Sequence, residues 1–331
     1  MVVTSQVMAE RSARAESSRL PEPEPHLVAP GIISSATDDE SFAVMPDGQR
    51  AYLARVGAIL VTHRSRKTWS VPEVASFSGR WRDTEPTIAP DGSFLVFASN
   101  RPISDGGAPL DGHWDNTDLP GLGGNLWKMN RTATGWSAPV RLPDTVNRGS
   151  STSVFSPAIS KDGSLYFMDQ VEGKFRIFRS QFRDGSYATA EALPFTAGDW
   201  EGNDPAVAPD ESFLIFSSRH APARQNDLVI IFRDGGKWGA PVNLGERLNS
   251  PDMDVEPRLG PDGHTLYFAS DRTVAPRFPR TAAQAKLDLA AGAAWNNGTK
   301  NIWQVDLSPW ISAHRSKAKP TGGVGTEGRG K

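Results

Sequence analysis

Acidic side chains recur at fixed distances ahead of five tight turns, and such convergence could supply an acid–base pair or a cation site. The turns carry Asp47, Asp91, Asp162, Asp210 and Asp262. Six positions earlier stand Ser41, Glu85, Ser156, Asp204 and Glu256, and eight earlier stand Asp39, Asp83, Val154, Gly202 and Asp254. Residues two apart on a strand share a side. Asp39, Asp83, Glu85, Asp204, Asp254 and Glu256 are therefore expected to gather at one mouth of a central channel. Like charges in a low-dielectric funnel raise one another's pKa, which would provide an acid and a base for hydrolysis or elimination.

A structural role competes with this chemistry. Arg101, Arg219 and Arg272 end three runs that pair with the starts holding Glu85, Asp204 and Glu256, whereas Ser41 and Ser156 sit in the two units without such an Arg. A guanidinium forked onto each carboxylate would be a staple. Arg258 stands where the other units have Ala43, Thr87, Ala158 and Ala206, so it needs an acid partner or a bound anion. Trp81 and Trp200 precede inner strands on the acidic face and offer either ligand platforms or ordinary packing.

The elements that position these residues form a repeat. Pro46-Asp47-Gly48, Pro90-Asp91-Gly92, Lys161-Asp162-Gly163, Pro209-Asp210-Glu211 and Pro261-Asp262-Gly263 are turn signals. Each follows a short apolar run. Four precede an alternating aromatic run such as Phe94-Leu95-Val96-Phe97 or Leu266-Tyr267-Phe268. Further runs, Asn125-Leu126-Trp127-Lys128-Met129 among them, and the Trp69, Trp136 and Trp238 segments complete four strands per unit. Spacings of 44, 71, 48 and 52 residues between the turn Asp residues fit a propeller.

The fifth unit lacks its outer strand near Ser308, and the missing strand stands at the other end of the chain. The stretch from Leu27 to Asp39 aligns with that from Val242 to Asp254, placing Ile33 under Leu248. The expected fold is all-β: a five-bladed β-propeller of four-stranded antiparallel blades, closed by an N-terminal strand that completes the last blade. Residues 26–310 make that single domain. The flanking stretches 1–25 and 311–331 read as disordered tails, the second of them basic.

The segment from Asn243 to Ser250, with Asp254, Glu256-Pro257, Pro261-Asp262-Gly263 and the run from Leu266 to Arg272, resembles the WD40-like PD40 repeat of TolB-like propellers. The resemblance spans roughly residues 27–307. It implies the fold, in a family that includes scaffolds, peptide-binding domains and lyases, many of them in bacterial cell envelopes. The manganese-dependent lyases with this repeat depend on clustered histidines, and no such cluster is visible here.

Pro-Asp-Gly turns leave one face little room to vary, while the long connections 101–124 and 273–300 share the opposite face. Binding chemistry is usually built on such loops. Candidate contacts there include His113 and Trp114, alongside Trp81, Trp200, Arg101, Arg219, Arg258 and Arg272. Asp105, Asp111, Asp115 and Asp118 in the first loop are oxygen ligands of the kind Ca²⁺ takes, without the spacing of an EF-hand. No cofactor is expected beyond that. The segment from Thr281 to Ala294 is Ala-rich enough for a short helix or lid.

Composition narrows the rest. The 331 residues carry 36 Lys+Arg against 38 Asp+Glu, a net charge of −2, which gives no drive toward nucleic acid. The absence of Cys excludes disulfides, thiolate nucleophiles and Cys-ligated metals. No apolar run is long enough to insert in a membrane. Residues 1–11 lack the pattern of a secretory signal, so a cytoplasmic monomer is expected. No His-x-x-x-His, nucleophile elbow or phosphate loop occurs in a fitting context. Two functions stand: a binding scaffold for a peptide, glycan or small polar ligand on the loop-rich face, or a hydrolase or lyase using the funnel carboxylates on a sugar-like or polar substrate.

Overall fold

The computed structural model describes residues 23–114, 117–149, 151–196, 200–219 and 225–318. Residues 24–305 make one compact unit of five antiparallel blades. From the axis outward, the first blade runs Asp39–Val44, Arg50–Arg55, Ala58–Ser65 and Glu73–Val74. The second runs Asp83–Ile88, Phe94–Ser99, Asn125–Thr132 and Val140–Arg141, and the third Phe155–Ile159, Leu165–Val171, Lys174–Ser180 and Glu191–Ala192. The fourth comprises Asn203–Val207, Phe213–Ser218, Asp227–Asp234 and Val242–Asn243.

The fifth blade has Asp254–Leu259, Thr265–Ser270 and Asn301–Asp306, and its outer strand is His26–Leu27 from the start of the propeller. Register pairs His26 with Gln304 and Leu27 with Trp303, and Val28 N–H extends the ladder to the Ile302 carbonyl at 2.8 Å. Each inner strand lies beside those of its two neighbours, the first touching both the second and the fifth, so the ring is shut. Closure packs the five inner edges against one another around the axis, where another chain has little room to extend them.

The turn chemistry is the same in all five blades. Each turn Asp accepts the backbone N–H two residues on, from Gln49, Ser93, Ser164, Ser212 and His264, at 2.9–3.0 Å. The following residue is left-handed: Gly in four turns and Glu211, at φ 58°, in the fourth blade. Glu211 keeps that conformation while its carboxylate takes Arg179, Arg233 and the Tyr166 hydroxyl.

Apolar residues fill the seams between blades. At the closure, Val28 and Ile33 from the N-terminal segment pack with Phe42, Leu53, Val255 and Ile302. The buried Ser34 hydroxyl donates toward the Val28 and Ile302 carbonyls. Ile33→Ala is expected to cost about 3 kcal/mol, since it empties a fully buried site that joins the first and fifth blades. Denaturant unfolding reads this directly.

The connection 273–300 holds the helix Ala282–Ala294, started by a capping box between Thr281 and Gln284. Described by itself, Ser308–Ala318 is also helical, where the sequence placed a tail from residue 311. Residues 1–22 and 319–331, most of the two expected tails, lie outside the described residues. Among the described residues, no helix is long and apolar enough to cross a membrane.

Candidate functional site

One backbone feature sorts the acids. Every inner strand slips register once, and the residue at the slip is left-handed: Ser41 (φ 55°), Glu85 (56°), Ser156 (48°), Asp204 (51°) and Glu256 (52°). A bulge adds one residue and breaks the alternation of sides. The acids eight positions before the turn therefore part company with those six before it. One set is held by arginines and the other closes on itself at the axis.

Asp39, Asp83 and Asp254 are fully buried. Asp39 accepts from Arg55 Nε and from Ser35 N–H, both at 2.6 Å. Asp83 accepts from Ser99 at 2.7 Å, Ser78 at 2.8 Å and Arg101 at 3.0 Å. Asp254 is held by Arg272 and by Ser250 N–H. Burial pushes Asp39 up to about 6 against the opposing pull of Arg55, and raises Asp83 and Asp254 as well. The third blade builds a comparable pair from other segments, with Arg148 Nε 2.6 Å from Asp169.

The arginine staples thus exist, but on different acids from those expected. Arg101 and Arg272 hold Asp83 and Asp254, not Glu85 and Glu256, because the bulge turns the two sets apart. Arg219 is exposed, and Gly202 stands where its blade would need the outer acid. The first blade does have an arginine. Arg55 lies directly across from Asp39, whereas Ser99 and Ser270 lie across from Asp83 and Asp254. Aligning the strand ends by motif therefore hides Arg55, which sits two residues earlier than Arg101 and Arg272. Arg148 and Asp169 leave no repeat signal at all.

Around the axis, the left-handed residues bond across blades. Ser156 N–H donates to Glu85 at 2.8 Å and its hydroxyl to Asp204 at 2.7 Å. Glu256 N–H points to Asp204 at 3.4 Å, and the Ser41 hydroxyl donates to Glu256. Arg258 joins this ring, donating to the Pro86 carbonyl at 3.3 Å, the Pro257 carbonyl at 2.8 Å and Ser41 Oγ at 3.1 Å. Burial, then the Asp204 charge, lifts Glu85 to about 7. Burial with the charges of Glu40, Asp204 and Glu85 lifts Glu256 well above the usual carboxylate range. Protons retained on these groups relieve a repulsion that the Arg258 charge alone does not cancel.

The acids do not line an open mouth. Glu85, Asp204 and Glu256 are 9%, 7% and 8% exposed. On the Pro-Asp-Gly face, Ala43, Thr87, Ala158, Ala206 and Arg258 surround a concavity of about 80 Å³, rimmed by prolines including Pro46 and Pro261. Arg258, 3% exposed, reaches from its wall to Ser41 in the acid ring.

On the loop-rich face, a second concavity of about 240 Å³ has walls from Arg80, Trp81, Arg101 and Trp127, with Pro102 and Asp105 from the start of the long loop. This joins Trp81 and Arg101, which the sequence nominated, to Arg80 and Trp127, which it did not. Trp200 instead packs edge-on against Phe216, with ring centres 6.4 Å apart. His113 is exposed on the hairpin Gly112–Trp114 and Thr117–Leu119 and bonds Asp118 at 2.9 Å. The Trp114 side chain and all of Asp115 lie outside the described residues. Asp111 is engaged by Gly121 N–H at 2.6 Å. Among the described residues, no three His, Asp or Glu side chains converge as metal ligands.

Strand pairing and ring closure define the class: a five-bladed β-propeller. No family model matches the chain. TolB proteins are among the solved structures it resembles. TolB from Acinetobacter baumannii is 16% identical with a TM-score of 0.48; the match covers 82% of this chain and 55% of that one. A candidate TolB of Agrobacterium tumefaciens is 18% identical with a TM-score of 0.46, covering 70% and 69% of the two chains. A gluconolactonase, XC5397 from Xanthomonas campestris, is 14% identical with a TM-score of 0.43, covering 86% and 94%. These likenesses concern architecture only, and propellers carry many unrelated activities.

Proposed function

We propose that this protein is a binding propeller, holding a small polar ligand on its loop-rich face in the concavity between Trp81 and Trp127. The observation that carries this reading is the occupation of the carboxylates. Asp39, Asp83 and Asp254 are each shielded from solvent and bonded to an arginine, and Glu85, Asp204 and Glu256 bond Ser hydroxyls and backbone N–H groups within the ring. A general acid or base must come within hydrogen-bond reach of the group it protonates or deprotonates, and these six are already committed to the protein. That commitment favours binding over the hydrolase or lyase reading.

Thermal-shift screening of the full chain against sugars, organic acids and short peptides tests this. A ligand whose stabilisation disappears in Trp81→Ala and persists in Glu256→Gln is the expected result. Turnover of a ligand that is lost in Glu256→Gln would overturn the reading.

A further inference from the structure

The helix Ala282–Ala294 carries its largest apolar side chains on the outside. None of its residues is buried, and its half-buried stripe includes Ala285, Asp288 and Gly292, with Asp288 paired to Arg280. At about 100° per residue, Leu287 and Leu289 fall to either side of Asp288. They bound an outward arc of roughly 160° that holds Ala283, Lys286, Ala290 and Ala293, all exposed. Leu287 and Leu289 are 69% and 72% exposed, and Phe278, just ahead of the helix, is 72% exposed. A surface helix ordinarily turns such residues toward the core, and exposed apolar side chains gathered in one place mark a contact surface. The neighbouring first blade adds a second feature on the same face. Its turn between Arg50–Arg55 and Ala58–Ser65 holds Val56 in the left-handed region at φ 50°, 83% exposed. A β-branched residue is strained there, and so exposed a side chain gains almost no packing in return.

The charges on this insertion are mostly basic: Arg277, Arg280, Lys286 and Lys300 against Asp288. Arg280 is held by Asp288 and Lys300 by Glu40, whereas Arg277 and Lys286 are exposed and form no ion pair among the described residues. A two-fold contact between copies through this arc would bring like charges together. The occupant is therefore apolar and negatively charged. A protein groove takes one stripe of a helix, but the arc is broad and convex, and Phe278 and Val56 lie off the helix altogether. A fluid interface receives all of them.

We propose that this insertion is a peripheral contact for an anionic lipid surface. Phe278, Leu287 and Leu289 enter the interface with Val56 beside them, and Arg277 and Lys286 meet the headgroups. At 13 residues the helix is too short to cross a bilayer. Asp105, Asp111 and Asp118 in the second blade's loop share the face, so contact is led from the fifth blade. The contact uses none of the side chains around the concavity between Trp81 and Trp127, so either reading can fail alone.

Co-sedimentation of the full chain with vesicles tests the proposal. One set contains phosphatidylserine and phosphatidylcholine in equal parts, the other phosphatidylcholine alone. The expected result is binding to the first set, weaker by about tenfold or more on the second. Leu287→Ser combined with Leu289→Ser, and Arg277→Gln combined with Lys286→Gln, change exposed positions only. Each pair is expected to weaken that binding by about tenfold while leaving the thermal midpoint in place. Equal binding to both vesicle sets would overturn the anionic headgroup, and binding indifferent to the leucine pair would overturn the surface. Absence of vesicle binding would overturn the proposal, and a dimer in light scattering that the leucine pair abolishes would assign the arc to a second copy instead.

Discussion

Glu85→Gln is expected to outlast the parent protein in urea at pH 8 and to match it at pH 4. Glu85 titrates at about 7 in the folded chain against an ordinary 4.5, because it is buried beside Asp204. A raised folded pKa means that the folded state holds the proton more tightly than the unfolded state. The associated stability is therefore complete below pH 4.5, falls as pH rises toward 7, and is gone above it. That difference corresponds to about 3 kcal/mol. Glutamine is neutral throughout and retains an oxygen for Ser156 N–H, which donates to Glu85 at 2.8 Å. Glu256 and Asp39 are raised as well, Asp39 to about 6, so the parent should lose further stability as pH rises. Urea midpoints measured from pH 4 to pH 9 decide the matter. A Glu85→Gln variant as pH-sensitive as the parent would place the retained axial proton elsewhere.

Arg55→Ala should be among the most damaging single changes, at about 3 kcal/mol. Its Nε holds the fully buried Asp39, and Nη2 donates to the Ile33 carbonyl at 3.1 Å and reaches that of Ile32 at 3.4 Å. The side chain thus ties the first blade to the very segment that closes the ring. Without it, Asp39 is left buried and unpaired and answers partly by taking up a proton. The loss should shrink below pH 5, where that carboxyl is already protonated. Arg55→Leu combined with Asp39→Asn is expected to recover part of the loss, since no uncompensated charge remains. A fall of less than about 1 kcal/mol for Arg55→Ala at pH 7 would show that the closure does not depend on this pair.

Much of the architecture was legible because it is written in local chemistry. An Asp that accepts the N–H two residues on, followed by a residue able to adopt positive φ, makes the same turn in every blade. The aromatic and β-branched runs next to it read as paired strands, which the ring buries on both faces. The alignment of Leu27 with Val242 revealed the closure because a strand completing a blade must carry the same pattern as one that ends a blade. The left-handed residues were not legible. Nothing about Ser41, Glu85, Ser156, Asp204 or Glu256 favours positive φ in isolation, and their conformation is held by hydrogen bonds from neighbouring blades.

The chain's own order of residues therefore settled the number of blades, the strand that shuts the ring and the face that bears long loops. These follow from turn preferences and from side-chain periodicity, which act between near neighbours. Only the assembled ring decided which carboxylates meet an arginine and which meet one another. A single extra residue in each inner strand reverses the side on which a side chain emerges, and its conformation is stabilised by contacts from residues dozens to hundreds of positions away.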